Sequence, residues 1–413
     1  MSEFIHLSSI ANIIMGQSPD SNFCNENGSG LPFLQGCAEF GDKYPNPKVC
    51  CTAPKKISPK GSILISVRAP VGDLNIANRD YIIGRGLAGI TPIKANRDFL
   101  YYSIQQFCRQ LIRVSQGSTF EAINSEDLRN FQIRNFKLPH QRKIARILTK
   151  IDNIIEKTES ALKKYKAIKQ GMMHDLFTRG IDVKTGKLRP SYEDAPELYK
   201  ETELGMIPEE WDIESLENIT DKIGDGIHTT PKYINKSDYF FINGNNLDDG
   251  KIVVDEKTSC VNESEFKKYY IALGKHTILI SINGTIGNIA YYKGEKVILG
   301  KSAAYVNCGK KLLKDYLYQL LQSHTIKKYF DTELTGSTIK NLSLNSIRNT
   351  PTLFPTYPEQ VEIAKKICSL DLKAEIEQNF LSKTKLVKQA LMQDLLTGKK
   401  EVTPDPEDCD GEP

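Results

Sequence analysis

The sequence has no run of about 18 consecutive apolar residues, which is the length that a helix needs to cross a lipid bilayer. Its first residues, MSEFIHLSSIANIIMG, lack the basic segment and the small-residue cleavage site of a secretory signal. We therefore expect a cytoplasmic protein with no membrane partner.

The nine cysteines lack the paired spacing that zinc knuckles and disulfide frameworks require. Cys50 and Cys51 are too close in sequence for an ordinary disulfide. We expect all of the cysteines to be reduced and to act mostly as packing residues. They are Cys24, Cys37, Cys50, Cys51, Cys108, Cys260, Cys308, Cys368 and Cys409.

Motifs for catalysis and cofactor binding are also missing. No Asn-Pro-Pro-aromatic or Asp-Pro-Pro-aromatic methyltransferase motif occurs, and the six histidines are scattered without metal-ligand spacing. The segment GEKVILGKS at residues 294–302 resembles a phosphate-binding loop, but it has five residues rather than four between its glycines. We predict that this chain has no catalytic residue and binds no metal or cofactor.

The composition is that of a soluble globular protein, with 39% hydrophobic and 26% charged residues. A chain of 413 residues is too long for one compact core and fits two domains. The net charge of +4 is unevenly distributed, because residues 139–180 carry ten Lys and Arg against four Asp and Glu, a net of +6. Residues 181–210 carry four against eight, a net of −4.

What the sequence does contain is a repeat. KQGMMHDLFT at residues 169–178 returns as KQALMQDLLT at 388–397, with six of ten positions identical at an offset of 219. Further upstream, KGSILISVRAPVGDL at 60–74 matches KHTILISINGTIGNI at 275–289 at an offset of 215. The chain therefore consists of two copies of one unit.

The two copies keep their length in one part and change it in another. From the repeated GST (residues 117–119 and 336–338) to the repeated helix end, no residue is gained or lost. Further upstream, Leu34-Gln35-Gly36 aligns with Ile242-Asn243-Gly244 at an offset of only 208, so the loops have changed in length. We infer that the loops read different ligands while the helices set a distance. A duplicated fold of this kind suits a nearly two-fold symmetric ligand such as duplex DNA.

A long helical pattern follows each copy of the globular part. After Pro139 and Pro358, apolar residues recur at alternating spacings of four and three, which is the heptad pattern of a coiled coil. A helix over 139–180 is roughly 60 Å long and is predicted to be a spacer. The residues predicted to pack the two helices together are Ile144, Leu148, Ile151, Ile155, Leu162, Tyr165, Met172, Ile363, Ile367, Leu370, Leu381, Leu391 and Leu395.

Two further segments are predicted to lack a packed core. Residues 181–210 are polar and contain three prolines, so we expect a largely extended linker with few core contacts. The acidic, proline-containing tail at residues 399–413 is expected to be disordered. The predicted organisation is a domain at 1–138, a helix at 139–180, the linker at 181–210, a domain at 211–356, a helix at 357–398 and the tail at 399–413.

Several of these motifs together resemble the specificity subunit of a type I restriction-modification system. They are the two GST segments, the helix starts LPHQRKIARIL and YPEQVEIAKKI, the helix ends MMHDLFTRG and LMQDLLTGK, and the segment ELGMIPEEW that introduces the second domain. The first domain lacks this lead-in. The resemblance covers almost the whole chain.

The resemblance implies an α+β fold of two pseudo-repeated target-recognition domains, joined by two long helices that form an antiparallel coiled-coil spacer. Each domain is expected to read one half of a split site in double-stranded DNA. The implied partners are two modification (methyltransferase) subunits and restriction (motor-nuclease) subunits. S-adenosylmethionine, ATP and magnesium are expected on those partners and not on this chain.

Candidate DNA-binding residues are basic, amide or hydroxyl side chains in loops. Arginine suits guanine and an amide suits adenine, whereas Lys, Ser and Thr suit phosphates. We expect the GST loops to contact phosphates and the variable loops to contact bases. The candidates are Arg68, Arg85, Gln116, Ser118 and Thr119 in the first domain, and Lys232, Asn245, Asn246, Asn283, Lys301, Ser337, Thr338 and Lys340 in the second.

Two other functions remain open from the sequence. Glu265 and Lys267 supply the ExK pattern of a metal-dependent endonuclease, although a surface charge pair explains such a triplet more often. A coiled-coil scaffold that binds proteins without DNA is the other alternative. A steep loss of DNA affinity with salt would favour the DNA-reading function over that scaffold.

Overall fold

The protein is described here from a computed structural model, which covers residues 3–115, 122–336 and 340–409. The chain divides into two compact units. Unit 1 combines the described residues up to Ser160 with those from Gln378 onward, and unit 2 is Ala161–Glu377. Each unit therefore contains one globular domain together with segments of both long helices.

The globular part of unit 1 is built on two sheets. The first is antiparallel, in the order β2-β10-β7-β8, and the second has the order β3-β5-β4-β9-β6 with β4 and β9 parallel. The elements are β1 (Phe4–His6), β2 (Ala11–Met15), β3 (Cys24–Asn25), β4 (Leu31–Leu34), β5 (Val49–Cys51), β6 (Ile57–Ser58), β7 (Ile63–Ser66), β8 (Leu74–Ile76), β9 (Tyr81–Ile83), β10 (Leu87–Pro92), α1 (Arg97–Ser115), α2 (Ser125–Asn130) and β11 (Gln132–Arg134), followed by the long helix α3 (Leu138–Thr178).

Unit 2 repeats these two sheets. Their orders are β17-β26-β23-β24 and β18-β22-β19-β25, with β19 and β25 parallel. The elements are β12 (Ile181–Asp182), β13 (Lys187–Leu188), β14 (Tyr199–Thr202), β15 (Gly205–Pro208), β16 (Asp212–Ser215), α4 (Leu216–Ile219), β17 (Thr220–Asp225), β18 (Tyr233–Ile234), β19 (Tyr239–Ile242), β20 (Leu247–Asp248), β21 (Lys251–Ile252), β22 (Cys260–Val261), α5 (Glu263–Lys268), β23 (Thr277–Ser281), β24 (Ile289–Tyr291), β25 (Val297–Leu299), β26 (Ala303–Cys308), α6 (Lys314–Leu321), α7 (His324–Glu333), α8 (Leu344–Arg348) and β27 (Pro351–Phe354), followed by the long helix α9 (Tyr357–Leu396) and the short helix α10 (Pro406–Cys409) of unit 1.

The repeated ILIS segment is the central strand of each unit and is buried on both faces. In β7, Ile63 and Ile65 join the core beneath α1 and α3, whereas Leu64 lies between the two sheets. In β23, Ile278 and Ile280 join one core, and Leu279 joins the other. Because successive side chains of a strand point to opposite faces, a strand covered on both sides reads as a continuous apolar run.

The two long helices predicted from the heptad pattern are present as α3 and α9. They end at Thr178 and Leu396, each two residues before its predicted end. In the described ranges, no helix is long and apolar enough to cross a membrane.

A glutamine two residues after a proline, Gln141 in one copy and Gln360 in the other, holds the start of each long helix. The side chain of Gln141 accepts from the backbone N–H of Asn96 at 2.9 Å and donates to the carbonyl oxygen of Phe136 at 2.8 Å. Gln360 accepts from Leu313 N–H at 2.8 Å and donates to Pro355 O at 3.0 Å. Both amides are buried, so each hydrogen bond satisfies a backbone group that water does not reach.

An ion pair joins the two long helices in each unit, at equivalent positions of the repeat. In unit 1, Lys388 Nζ lies 2.6 Å from Asp152 Oδ1, and in unit 2, Lys169 Nζ lies 2.7 Å from Asp371 Oδ1. Asp152 also accepts from the hydroxyl of Tyr102 at 2.6 Å, and the burial of that phenol together with this bond raises its pKa well above the usual range. Lys169, which interrupts the apolar heptad pattern, therefore has a structural role.

The residues predicted to pack the helices are buried or half-buried, and several of them belong to the cores of the globular domains. Ile144, Leu148 and Leu395 belong to the core of the unit 1 domain, and Ile363 and Ile367 belong to that of unit 2. Buried members of the set also include Leu162, Leu370 and Leu381. The half-buried members are Ile151, Ile155, Tyr165, Met172 and Leu391.

The segment 181–210 is not the extended linker that the sequence predicts. It forms two antiparallel hairpins, β12-β13 and β14-β15, and Ile181 and Ile207 are buried in the unit 2 core. Arg189 forms an ion pair with Glu359, which is itself only 1% exposed. Ile181 and Arg189 of this segment both bind Glu359, which is 178 and 170 residues away in sequence, and local composition does not reveal such a partner.

The acidic tail is also ordered as far as the structure describes it. Arg146 of α3 forms ion pairs with Asp405, Glu407 and Asp408, and Lys143 pairs with Asp405. Residues 410–413 of the predicted disordered tail lie outside the described residues. The prediction was wrong for 399–409 because the basic charge of residues 139–180 offers this acidic segment a partner.

The prediction that all nine cysteines are reduced was also wrong. Cys24 and Cys51 form a disulfide, because the antiparallel register of β3 and β5 places them directly opposite each other. Their separation of 27 residues has no recognisable disulfide spacing, so only the strand register reveals the pair.

Glu359 is predicted to be the most sensitive polar residue of unit 2. Its carboxylate accepts from Trp211 Nε1 at 3.1 Å and from Ile181 N–H at 2.8 Å, in addition to Arg189. Replacing Glu359 by Ala removes the acceptor of two buried N–H groups and leaves Arg189 with only its exposed carboxylate partner Glu210, so we expect a loss of about 3–5 kcal/mol in the free energy of unfolding. Denaturant unfolding followed by the fluorescence of Trp211, the single tryptophan, measures it.

The matched control is Glu362→Ala on the same helix. Glu362 lies 3.9 Å from Lys365, a pair that is largely exposed, and its loss is expected to change the unfolding free energy by less than about 0.5 kcal/mol. Equal effects of the two substitutions would contradict the structural role of Glu359.

Candidate nucleic-acid interface

Five loops of unit 1 meet at one end of the β2-β10-β7-β8 sheet. The C-terminal ends of β2 and β7 lie beside the N-terminal end of β10, because β10 runs antiparallel to both. We call residues 16–18, 35–36, 67–68, 84–86 and 122 the unit 1 loop cluster. Four backbone hydrogen bonds of 2.8–2.9 Å hold it together: Gln17 N–H to Ile83 O, Gly84 N–H to Leu34 O, Val67 N–H to Gly86 O, and Ile123 N–H to Val67 O.

Unit 2 builds the same arrangement at the end of its β17-β26-β23-β24 sheet. We call residues 227–228, 243–245, 282–285, 300–302 and 340–341 the unit 2 loop cluster. Its equivalent hydrogen bonds are 2.8–3.0 Å long: Ile227 N–H to Leu299 O, Gly300 N–H to Ile242 O, Ile282 N–H to Ser302 O, and Leu342 N–H to Ile282 O. The two clusters therefore share one backbone framework.

A glycine allows two of these loops to approach closely in each unit. A Cβ atom added to Gly300 would lie 2.2 Å from Asn243 Oδ1, and one added to Gly84 would lie 2.8 Å from Gln35 Oε1. Any side chain at these positions would push the loops apart. The glycines preceding Arg85 and Lys301 are thus part of the framework that positions those cations.

The structure brings six of the sequence-predicted DNA-binding residues into the two loop clusters or beside them. Arg68 and Arg85 are exposed in the unit 1 cluster. The unit 2 cluster holds Asn245, Asn283, Lys301 and Lys340, all exposed except the half-buried Asn283. Lys340 lies next to Asn341, whose backbone pairs with both Thr335 and Asn283.

Two other candidates lie elsewhere or are already engaged. The amide of Asn246 donates to Val253 O at 3.0 Å, and its oxygen accepts from Asn243 N–H at 3.0 Å, so Asn246 closes a turn. Lys232 is exposed beside α5, where its backbone N–H donates to Glu265 at 3.1 Å. The remaining candidates lie outside the described residues: Gln116, Ser118, Thr119, Ser337 and Thr338.

The polar residues that support the clusters were not among the candidates predicted from the sequence. In unit 2, Ser302 donates to Asn243 Oδ1 and accepts from Gly244 N–H, both at 2.9 Å. In unit 1, Ser18 donates to Gln35 Oε1 at 3.0 Å. The alignment of Leu34-Gln35-Gly36 with Ile242-Asn243-Gly244 was the available signal, since an amide stands at the same place in both copies.

The cations of the clusters are available to a ligand. Among the residues that the structure describes, no carboxylate forms an ion pair with Arg68, Arg85, Lys301 or Lys340. Exposed cations without an acidic partner attract phosphate groups, and their binding releases counterions from nucleic acid. Backbone N–H groups and amide side chains in the same loops suit base edges and sugar oxygens.

The ExK triplet does not form a metal site. Lys267 pairs with Glu263 at 2.8 Å, and Glu265 faces the backbone of Lys232 and lies 3.8 Å from Lys268. Across the described ranges, no group of three His, Cys, Asp or Glu side chains is placed to hold a metal ion. The triplet is a helix surface that supports a neighbouring loop.

The sequence matches a family model described as the type I restriction modification DNA specificity domain, at residues 2–164 and 208–385. A Methanocaldococcus jannaschii protein carrying the name type I restriction enzyme MjaX specificity subunit is 43% identical over 175 residues, which are 42% of this chain and 41% of that protein. The match thus spans less than half of this relative. The MjaVIII specificity subunit of the same organism is 26% identical over 315 residues, 73% of this chain and 69% of that protein.

A solved structure has the same fold. The S subunit of a type I restriction-modification system from M. genitalium matches with a TM-score of 0.62 over 97% of this chain and 96% of that one. The sequence identity is 16%, so this likeness concerns the arrangement of the backbone.

The close approach of Gly300 to Asn243 leads to a stability prediction. In the Gly300→Ala variant, the added methyl group meets Asn243 Oδ1 and the Phe241 ring at 2.2 and 2.7 Å, so we expect a loss of about 1–3 kcal/mol in the free energy of unfolding. Denaturant unfolding followed by Trp211 fluorescence provides the measurement. The control is Gly274→Ala, where the added Cβ has no atom within 4 Å and the change should stay within about 0.5 kcal/mol. An unchanged midpoint for Gly300→Ala would contradict the described packing.

Proposed function

This chain belongs to the type I restriction modification DNA specificity family, and we propose that it reads a bipartite DNA site, one half-site per unit, without performing a chemical step itself. The observation that carries the proposal is the loop cluster, which the chain builds twice on one backbone framework with different exposed side chains. A ligand with two similar halves of different sequence requires such a pair of sites.

The chemistry of the clusters supports DNA as the ligand. Arg68 and Arg85 in unit 1, and Lys301 and Lys340 in unit 2, are exposed cations on loops at one sheet end. Phosphate contacts supply most of the affinity and set the register on the duplex, while arginine and asparagine can also read base edges. The fixed framework reduces the conformational entropy that the loops lose on binding, because hydrogen bonds already hold them in place in the free protein.

The long helices are proposed to dock two modification (methyltransferase) subunits. Each unit exposes large apolar side chains on these helices, which is unfavourable for a surface that stays in water. In unit 1 they are Ile154, Phe380, Leu386 and Val387, between 41% and 66% exposed, and in unit 2 they are Ile168, Val361, Leu372 and Ile376, between 37% and 59% exposed. Exposed apolar side chains on the helices of both units are consistent with one docked subunit per unit.

The chemical steps are proposed to belong to those partners. Modification subunits would bind S-adenosylmethionine and methylate adenine, and restriction (motor-nuclease) subunits would use ATP and magnesium. Such an assembly acts on cellular DNA, so the proposed location is the cytoplasm. Within this proposal the chain contributes sequence recognition and a scaffold.

Mapping of methylated bases tests the recognition function. We expect DNA from cells with this chain and its neighbouring modification subunit to carry a methylated motif of two short blocks at a fixed spacing. The motif should disappear when the chain is deleted, because the modification subunit then lacks the protein that recognises its DNA site. Methylation of the same motif in cells that lack the chain would contradict the proposal.

A double substitution tests the docking surface of unit 2. Replacing Leu372 and Ile376 by Ser removes two exposed apolar side chains from α9, and we expect binding of the modification subunit to weaken by about 2–4 kcal/mol, roughly 30- to 1,000-fold. Titration calorimetry or sedimentation of the two purified proteins measures the loss. The control is Gln378→Ser, an exposed polar position on the same helix, which should bind as the unaltered chain does. Unchanged affinity for the double variant would place the docking surface elsewhere.

A further inference from the structure

We propose that Arg68 and Asn283 are equivalent base-reading residues, Arg68 contacting a guanine in the half-site of unit 1 and Asn283 an adenine in the half-site of unit 2. The proposal rests on the proposed function and specifies which residues make the two half-sites different. It follows from the equivalence of the two positions, from the availability of their side chains and from the chemistry that differs between them.

Backbone hydrogen bonds establish the equivalence. Directly after the central strand of unit 1, Val67 donates to Gly86 O at 2.9 Å and accepts from Ile123 N–H at 2.9 Å. In unit 2, Ile282 donates to Ser302 O at 3.0 Å and accepts from Leu342 N–H at 2.9 Å. The next residues are Arg68 and Asn283, and each forms an antiparallel bridge to a residue that follows the repeated GST motif in sequence, Ala122 and Asn341 respectively.

Both loops are held by the last serine of the central strand. The buried Ser66 donates its hydroxyl to Pro70 O at 2.7 Å and accepts from Asp73 N–H at 2.8 Å. The buried Ser281 lies 3.3 Å from Asn283 O, to which its hydroxyl donates. A reading side chain needs such a support, because misplacement by about 1 Å disrupts a bidentate contact.

The side chains of Arg68 and Asn283 are not engaged in this support. Within the described part of the chain, neither side chain forms a hydrogen bond, whereas Gln35, Asn243, Asn246 and Ser302 in or beside the same clusters all do. The supporting amides keep the loops in place, and the side chains of Arg68 and Asn283 are free to contact a ligand.

The difference in chemistry assigns the bases. A guanidinium presents two parallel N–H donors that match the O6 and N7 acceptors of guanine, and a carboxamide presents one donor and one acceptor that match N7 and the N6 amino group of adenine. At the neighbouring position of the cluster, Arg85 and Lys301 are both cations, which suits a phosphate that every sequence offers. A position that keeps its charge in both copies cannot distinguish the half-sites, but the position occupied by Arg68 and Asn283 can.

Reciprocal substitutions test the assignment by methylated-base mapping in cells that carry the neighbouring modification subunit. For Arg68→Asn we expect one position of one half-site to change its preference from guanine to adenine, with the other half-site and the spacing unchanged. Asn283→Arg should give the converse change in the other half-site. Each wrong base should be disfavoured roughly 5- to 150-fold. Arg79→Asn, an exposed arginine at the opposite end of β9, is the matched control and should leave the motif unchanged.

A second measurement covers variants that no longer support methylation. The complex of the variant chain with its modification subunit is incubated with duplex libraries in which one half-site at a time is randomised, and the retained sequences are counted. Loss of preference at one position supports base reading. Uniform weakening over all sequences, or an unchanged motif in both variants, would overturn the assignment. If the unaltered chain itself directs no motif, the proposed function fails instead, so the two failures can be told apart.

Discussion

Each globular core is completed by the end of a long helix that starts in the other copy of the repeat. Leu395 and Leu396 of α9 lie in the core of unit 1, and Met173 and Phe177 of α3 lie in that of unit 2. Burying such side chains contributes about 1.5–3 kcal/mol each, whereas a partly exposed ion pair contributes about 1 kcal/mol or less. Apolar burial therefore supplies most of the stability, and the Lys388–Asp152 and Lys169–Asp371 pairs add a smaller contribution at equivalent positions of the two units.

The packing of each helix end into a globular core explains why the two copies of the repeat diverged in some segments and kept their length in others. A residue gained or lost between the GST loop and the helix end would displace a helix from a core, so that part keeps one length. The loops at the sheet ends are constrained only by their shared backbone hydrogen bonds, so their length and side chains can change. The side chains at equivalent positions could therefore differ between the two units, with Arg68 in one and Asn283 in the other, and Arg85 in one and Lys301 in the other. The backbone framework stayed the same, so one scaffold can bind two different ligands.

Much of the candidate site was predictable because loop position follows from the repeat. Arg68, Arg85, Asn283 and Lys301 flank Gly or Pro at aligned places, and the fold brings them to equivalent sheet ends. Asn246 remains an untested candidate, but its side chain already closes a turn, and residue type alone does not distinguish an exposed amide from one that is engaged in this way. The supporting residues Ser18 and Ser302 were not predicted, because residue type alone does not show that a serine holds two loops together.

Periodicity and self-similarity were sufficient to predict the duplication and the two long helices, since these depend on local spacing that repeats along the chain, and the α+β class followed from the family resemblance. Contacts between distant segments were decided only by the tertiary structure. The packing of 181–210 around Glu359, the ion pairs of the tail with Arg146 and the Cys24–Cys51 disulfide each join residues whose proximity depends on how the sheets and helices assemble. A polar, proline-containing or acidic segment has no local preference that identifies its partner, so its order depends on a surface that exists only in the folded chain.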